Sequence, residues 1–406
     1  MDYPVNAAGS GSPYSSHLKS NGYEDGTDED QEQEVPTLPN QLLQLSPGAR
    51  RVTDADEEIF LLYTLTPALA GRYGLGQVDS KHDLLTITFD LDKDDPPEVS
   101  SRNSDSLSSS ATRSRKDATS KVARGSKRQG LSTGSKSSKN ATSSARDTTV
   151  NTLLFQDSTS LRSNAGDTGS VIWRSSLYLA ACLTRQLYRP QRGDEPLSLL
   201  NRKALLNPKG EQEDGRINIL ELGTGTGVLP AILLPFLQTR RLANRLHWTA
   251  TDLEELLPLI RRNLSDKLSS TSSDSEEGGI TLSSLPLDWM HASNLLHSST
   301  SYAGGSEALR RSLLPSSLTG YPDLLMAVDC IFNPSLFDPL LDTIDLFTLK
   351  AHTVVLLLVE LRSAEAMREF MEGWLKRDGG WRVWSVDVEQ MKGMEKGYVI
   401  WVGWKE

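Results

Sequence analysis

Three glycines at alternate positions, Gly223, Gly225 and Gly227, follow the apolar run Ile219-Leu220-Glu221-Leu222. This type and spacing suit a corner where a strand turns into a helix and a ligand approaches the main chain closely. The helix expected from Val228 points its free N–H groups and the positive end of its dipole at that corner. Such chemistry receives the polar part of a nucleotide or nucleoside. The spacing narrows the choice. A dinucleotide corner reads G-x-G-x-x-G/A, whereas Val228 stands in the third-glycine place here. A phosphate loop requires Gly-Lys-Ser/Thr, and none follows. The alternative is S-adenosylmethionine, which offers a carboxylate and a ribose without a pyrophosphate. A tight turn with no ligand is the plainer reading.

Asp252 closes the run His247-Trp248-Thr249-Ala250-Thr251. At the end of the strand next to a glycine corner, an acid accepts hydrogen bonds from a ribose. Its other reading is an N-cap for the helix expected over 254–264.

The elements that must hold these residues alternate. Strands are expected at 217–222, 247–252, 280–285, 323–329 and 353–361. Helices are expected at 228–238, 254–264, 335–346 and 364–376. Alternation of this kind makes a parallel sheet covered on both faces. Two final strands, 381–388 and 398–404, have no helix between them and form an antiparallel end. The expected fold is α/β, a Rossmann-like seven-stranded sheet of the methyltransferase type with helices on both faces. Before it, the β-rich runs 59–64, 84–89 and 152–156 predict a small antiparallel addition. The helix 176–187 follows, and 190–216, 265–279 and 291–320 read as loops.

Composition sets the boundaries. Residues 1–50 are poor in apolar side chains and acidic, and 95–149 are Ser-rich and basic. Both read as disordered, because such segments bury too little apolar surface to offset the entropy of ordering. The division is then a tail (1–50), an N-terminal β-rich segment (51–94), a basic insertion (95–149) and a main domain (150–406). The net charge of −10 hides this split between an acidic tail and a basic insertion. The insertion reads as a solvated loop, or as a nucleic-acid tail that could bring the chain near ribosomes electrostatically. Two cysteines, Cys182 and Cys330, allow neither a disulfide framework nor a zinc site. The N-terminus lacks the pattern of a signal peptide, and the apolar run 354–359 is too short to span a bilayer. A cytoplasmic or nuclear protein is expected.

Four motifs, in order, carry a resemblance over roughly 150–406. They are Thr168-Gly169-Ser170-Val171-Ile172-Trp173, Glu221 to Gly227, Leu287-Asp288-Trp289 and Asp329-Cys330-Ile331-Phe332. Together they resemble the class I S-adenosylmethionine methyltransferases, and within them the family 16 protein methyltransferases, most of which modify lysine. The likeness is nearest to the fungal ribosomal lysine methyltransferase type. It rests on Leu154-Phe155-Gln156-Asp157, Asn333-Pro334 and Val359-Glu360-Leu361-Arg362-Ser363. The acidic tail, the basic insertion and the Ser-rich loops depart from the compact family pattern, which bears on surface recognition.

The resemblance implies S-adenosyl-L-methionine as cofactor and a lysine of a large-subunit ribosomal protein as acceptor. It implies no metal, no membrane and no direct nucleic-acid substrate, and a monomer is expected. Gly223, Thr224, Gly225 and Gly227 would approach the cofactor through the main chain. Glu221 would cap its ammonium or brace the loop, and Asp252 would take its ribose. Trp289 would pack on the adenine, Asp288 would accept from the adenine's amine, and Val328 would touch the adenosine. Trp173 would line the pocket from the N-terminal side. Asp329 would orient the lysine ammonium and help release its proton. Phe332 would wall the lysine channel, and Glu360 and Arg362 would brace the rim through an ion pair. Core packing of each Trp and helix capping by Asp329 are the plainer readings. Two other functions compete. One is methylation of a nucleic-acid amine, disfavoured because no proline follows Asp329 directly. The other is a non-catalytic scaffold on the same fold.

Overall fold

The computed structural model describes residues 36–65, 76–101, 148–163, 168–189, 197–207, 215–267, 279–298, 305–314, 320–387 and 389–406. In chain order the elements begin with β1 (Arg50–Val52), α1 (Ala55–Leu65), β2 (Leu84–Asp90), β3 (Glu98–Ser101) and β4 (Thr149–Phe155). Next come α2 (Ser158–Ser163), α3 (Arg174–Tyr188), α4 (Arg202–Leu206), β5 (Ile217–Leu222) and α5 (Val228–Arg240). The middle of the chain forms β6 (Leu246–Asp252), α6 (Leu257–Leu264), β7 (Ile280–Pro286), α7 (Trp289–His297) and α8 (Gly305–Leu313). The last elements are β8 (Leu324–Val328), α9 (Phe337–Phe347), β9 (Val354–Glu360), α10 (Ala364–Leu375), β10 (Trp381–Ser385) and β11 (Tyr398–Lys405).

Eight strands form the main sheet in the order β1-β10-β11-β9-β8-β5-β6-β7. Strands β9, β8, β5, β6 and β7 run parallel, and β11, β10 and β1 continue the sheet antiparallel. This is the expected Rossmann-like α/β sheet, with eight strands in place of seven. The extra strand is β1, whose Val52 sits opposite Val383.

Because both faces are covered, the two-residue period of each strand feeds two cores. Along β9, Val354, Leu356 and Leu358 enter one core, and Val355, Leu357 and Val359 enter the other. The first core also takes α3, α5 and α6. It takes the inner face of a three-stranded antiparallel sheet, β3-β2-β4, through Leu85, Ile87, Phe89 and Leu154. The second core takes α1, α9 and α10.

Four local expectations change. Ile59–Thr64 is the middle of helix α1, not a strand. An unbroken apolar run fits either element, and its flanks decide. Asp54 Oδ1 accepts the Glu57 N–H at 2.8 Å, and Asp56, Glu57 and Glu58 fill the first turn, where acids suit the helix dipole. Ala55, Ile59 and Leu62 are then buried on one face. The third strand of the small sheet is instead β3, inside the segment read as insertion. The loop expected over 291–320 contains α7 and α8. The loop over 190–216 contains α4, capped by Asn201, whose side chain accepts the Lys203 N–H.

The tail boundary also moves. Among residues 36–50, Leu38, Leu42, Leu43 and Leu45 are buried in the first core. The acidic run before residue 36 and the basic run over 102–147 lie outside the described residues.

Candidate active site

The glycine corner forms at the carboxyl end of β5, in the middle of the sheet. Gly223, Gly225 and Gly227 have φ of +61°, +57° and +80°, a region closed to most side chains. At two of them space is also filled. A Cβ on Gly223 would come 2.8 Å from the Cys330 Sγ and 3.0 Å from the Trp289 ring. A Cβ on Gly225 would come 3.3 Å from the Gly169 carbonyl oxygen. The corner is thus pressed between the strand end at β8, the start of α7 and the Thr168–Trp173 segment.

Asp252 ends β6 beside this corner. Its Oδ2 accepts the Gly225 N–H at 2.7 Å, and its Oδ1 accepts the Leu253 N–H at 2.8 Å. The Thr224 N–H donates to the Thr251 carbonyl at 3.0 Å, so corner and strand end are tied twice. Gly227 leads into α5 as its N-cap, with no side chain to occupy the helix's first N–H groups.

Glu221 is buried beneath the corner. Its Oε2 accepts the Trp248 indole N–H at 2.9 Å, which fits the bracing alternative of its two expected roles. Burial pushes its carboxyl from the ordinary 4.5 up to about 7.

Trp289 and Asp288 divide their work. Asp288 is the N-cap of α7, its Oδ1 accepting the Met290 N–H at 2.9 Å. Trp289 lies half-buried against Gly223, and its buried Nε1 has no hydrogen-bond partner among the described residues. Val328 is buried at the end of β8.

Asp329 opens a second cluster. It has φ of +61°, a strained value for a residue with a side chain. Three contacts hold it there. Its N–H donates to the Leu358 carbonyl at 2.7 Å. Arg362 grips both carboxylate oxygens, Nη1 to Oδ1 at 3.0 Å and Nη2 to Oδ2 at 2.6 Å. The Ser175 hydroxyl donates to Oδ2 at 3.1 Å. Arg362 also reaches Glu360 at 2.7 Å and lies over the Trp173 ring at 5.2 Å. Burial alone would lower the Arg362 pKa, but Asp329 and Glu360 hold it above its ordinary value. The Trp173 indole N–H donates to the Thr168 carbonyl at 2.7 Å.

Residues 329 and 330 join the clusters, since Cys330 touches the corner while Asp329 holds the ion pair. Phe332, three residues on, is 42% exposed. Leu253 and Met290, which follow β6 and β7, are exposed to the same degree. All three sit past the carboxyl ends of parallel strands of the one sheet, β8, β6 and β7, and are exposed apolar side chains at that edge. Sequence reasoning missed Ser175, Gly76 and Asn263. Gly76, at φ +96°, packs so closely on Glu360 and Arg362 that a Cβ would come 2.5 Å from the Glu360 carboxylate. Asn263 ties α6 to β4 and the corner, bonding the Phe155 main chain and the Thr226 carbonyl. A serine, a glycine and an asparagine carry no local sign of such long-range partners.

Residues 156–300 match the family described as lysine methyltransferase. The chain resembles that family over those 145 of its 406 residues. The cofactor that goes with it is S-adenosylmethionine, as the corner led us to expect. Among curated proteins no match is found. Solved structures similar to the methyltransferase domain include the DszA carbon methyltransferase, at 15% identity and TM-score 0.29, over 47% of this chain and 48% of that one. A ribosomal protein L11 methylase from Lactobacillus delbrueckii subsp. bulgaricus aligns at 14% identity and TM-score 0.25, over 47% and 70%. An arsenic(III) S-adenosylmethionine methyltransferase from Chlamydomonas reinhardtii aligns at 11% and 0.26, over 47% and 64%. The chain spans about half the length of the carbon methyltransferases it matches. Overlaps this partial say nothing of what the methyltransferase domain acts on.

The residues present fit the cofactor. A left-handed glycine corner that a Cβ would fill, an acid at the next strand end and an unpartnered indole N–H share one sheet edge. Gly223, Thr224, Gly225 and Gly227 can hold it by the main chain, and Asp252 and Trp289 by side chains. Among the described residues no group of three or more His, Cys, Asp or Glu could hold a metal ion, and no helix is long and apolar enough to cross a membrane.

Proposed function

We propose that this chain transfers a methyl group from S-adenosylmethionine to the side-chain amine of a lysine in a protein. The observation that carries the reading is the Gly223–Gly227 corner, closed by Trp289 and Cys330 and flanked by Asp252, within the matched region. Bound there, the cofactor supplies a methyl group on a positively charged sulfonium, which an amine attacks in line.

The chain's own task is to position the amine, exclude water and receive the amine uncharged. Free lysine has a pKa of about 10.4, so its proton must leave before attack. Burial at the sheet edge lowers that pKa by disfavouring the charged form. Phe332, Leu253 and Met290 offer apolar faces for the lysine's aliphatic stem. Phe332 also offers its ring to the ammonium, an attraction of about 0.5–2 kcal/mol.

Asp329 acts in this reading from within its ion pair. It could take a lysine proton only by releasing a hydrogen bond from Arg362 or Ser175. Its held turn fixes where Phe332 stands, and its charge orients an incoming ammonium. The acceptor is put forward as a ribosomal protein of the large subunit, on the motifs shared with the fungal ribosomal type.

The test incubates the full chain and radiolabelled cofactor with hypomethylated cell extract, with and without nuclease. Label in a discrete protein band that resists nuclease, recovered as methyl-lysine after hydrolysis, supports the reading. Label lost with nuclease would show a nucleic-acid acceptor. Cofactor binding without any transfer would show a scaffold.

A further inference from the structure

A second cleft lies away from the glycine corner, at the other end of α3. Ser175 and Arg185 are ten residues apart on that helix, a separation of about 15 Å along its axis. The cleft has a volume of about 600 Å³. That is within the range of sites for small molecules, roughly 300–1,000 Å³. Its charge is one-sided. Arg185, Arg189, Arg202, Lys203 and Lys392 line it, with Glu389 the only acid among the lining residues.

Two of these cations are built in place. Arg185 is almost fully buried. Its Nε donates to the Asp90 carbonyl at 3.0 Å, its Nη2 to the Asp95 carbonyl at 2.6 Å, and its guanidinium lies over the Phe89 ring at 5.4 Å. Its Nη1 is buried and has no partner among the described residues. Arg189, one turn on, repeats the pattern. Its Nε donates to the Leu91 carbonyl at 2.9 Å and its Nη1 pairs with Asp94, while its Nη2 is buried without a partner among the described residues. Each guanidinium is held by two of its nitrogens and leaves the third over. A buried donor left unpaired is unfavourable and calls for an acceptor. Arg202, Lys203 and Lys392 have no ion-pair partner among the described residues, so Asp94, Asp95 and Glu389 are the acids that offset the group.

We propose that this cleft binds a compact phosphorylated molecule, of about mononucleotide size, whose phosphate oxygens meet the exposed Arg202, Lys203 and Lys392 and, after a small side-chain shift, the leftover Arg185 and Arg189 donors behind them. Guanidinium groups suit phosphate because their planar fork matches two of its oxygens. Lys203 and Lys392 add point charges at the mouth. The basic residues gather round one cleft, whose lining also includes Leu197, Leu206 and uncharged polar side chains such as Gln44, Ser198 and Asn201, which favours a small ligand over a nucleic-acid strand. The site is separate from methyl transfer and stands whether or not that reading holds.

The test is calorimetric titration of the full chain with inorganic pyrophosphate, at physiological ionic strength and with S-adenosylhomocysteine saturating the glycine corner. Saturable one-site binding is expected. The double variant Lys203→Ser, Lys392→Ser alters exposed side chains and should keep the melting temperature. It should weaken pyrophosphate binding by about tenfold or more. No binding of pyrophosphate, or equal binding by the double variant, would overturn the proposal. So would binding of a single-stranded RNA oligonucleotide through these lysines when pyrophosphate does not bind.

Discussion

A buried carboxyl with no cation beside it makes Glu221 a reporter of pH. Its folded pKa of about 7 lies above the ordinary 4.5, so between these values the folded chain holds a proton that the unfolded chain has lost. Its contribution to stability is therefore full below pH 4.5 and is lost as pH rises through 7. At about 1.4 kcal/mol per pH unit, the loss is roughly 3 kcal/mol. Glu221→Gln should flatten this slope in denaturant titrations at pH 5 and 8, and an unchanged slope would assign it elsewhere. Asp252 makes a different demand. Asp252→Ala removes a charged acceptor worth about 2 kcal/mol, so cofactor affinity by calorimetry should fall roughly thirtyfold. Equal affinity would refute the ribose assignment. Asp329→Ala should instead cut turnover by about tenfold or more and leave cofactor affinity nearly intact. Arg362→Ala should reproduce that loss, because the pair acts as one device. If Arg362→Ala turns over normally, Asp329 works alone.

At the scale of elements, the corner depends on backbone that no other residue supplies. Gly223→Ala carries the left-handed cost of about 1–2 kcal/mol and drives a methyl group into Cys330 and Trp289. Denaturation should show a loss of about 2 kcal/mol or more, with cofactor binding gone. A stable variant that binds normally would mean that the Trp289 wall moves freely. The small sheet yields a second test. Strands β3 and β4 flank β2 and run parallel to each other, so the two ends to be joined lie opposite Leu85 and Asp90, on either side of one strand. That span is about 20 Å, which roughly six extended residues cover. Replacing residues 102–147 by about ten Gly and Ser residues should leave the melting temperature almost unchanged. The alternating strands and helices of the parallel sheet were legible because burial on both faces leaves long apolar runs with glycine and acid stops. Helix α1 was not, because the residues from Ile59 to Leu62 are an unbroken apolar run and only Asp54 and the acids after it betray the helix. Helices α7 and α8 were hidden for the opposite reason. In α7 only Ala292 is fully buried, and in α8 only Leu309 and Arg310, so the apolar stripe of each is too short to stand out in the sequence.

For the molecule as a whole, the N-terminal part is a working piece of the main domain. Glu58 is buried, accepts the Trp401 indole N–H at 2.9 Å and pairs with Arg50 at 3.2 Å, so β1 and α1 are bound to the last strand. Removing residues 1–35 should leave thermal unfolding unchanged. Removing residues 1–66 should lower the melting temperature and promote aggregation, because β10 then becomes a bare edge and α10 loses its cover. Equal melting of the two truncations would show that β1 and α1 are dispensable. The glycine corner, Asp252 and the tryptophans could be found in the sequence because each is a distinctive residue at a strand end. The ion-pair cluster was only half visible, since Arg362 lies 33 positions from Asp329 and Ser175 lies 154 away. The second cleft was not visible at all. Its cations come from α3, α4 and the segment after β10, and only the folded chain gathers them.

The placement of β1 also has a consequence in time. Val52 pairs with Val383, and β10 itself hangs on β11, which ends one residue before the last residue of the sequence. A ribosome adding roughly 5–20 residues each second needs on the order of tens of seconds to deliver those partners. Through that interval the growing chain must keep Arg50–Val52 and the apolar face of α1 from pairing wrongly. A chaperone that shields the early segment through that interval would therefore raise the yield of folded protein.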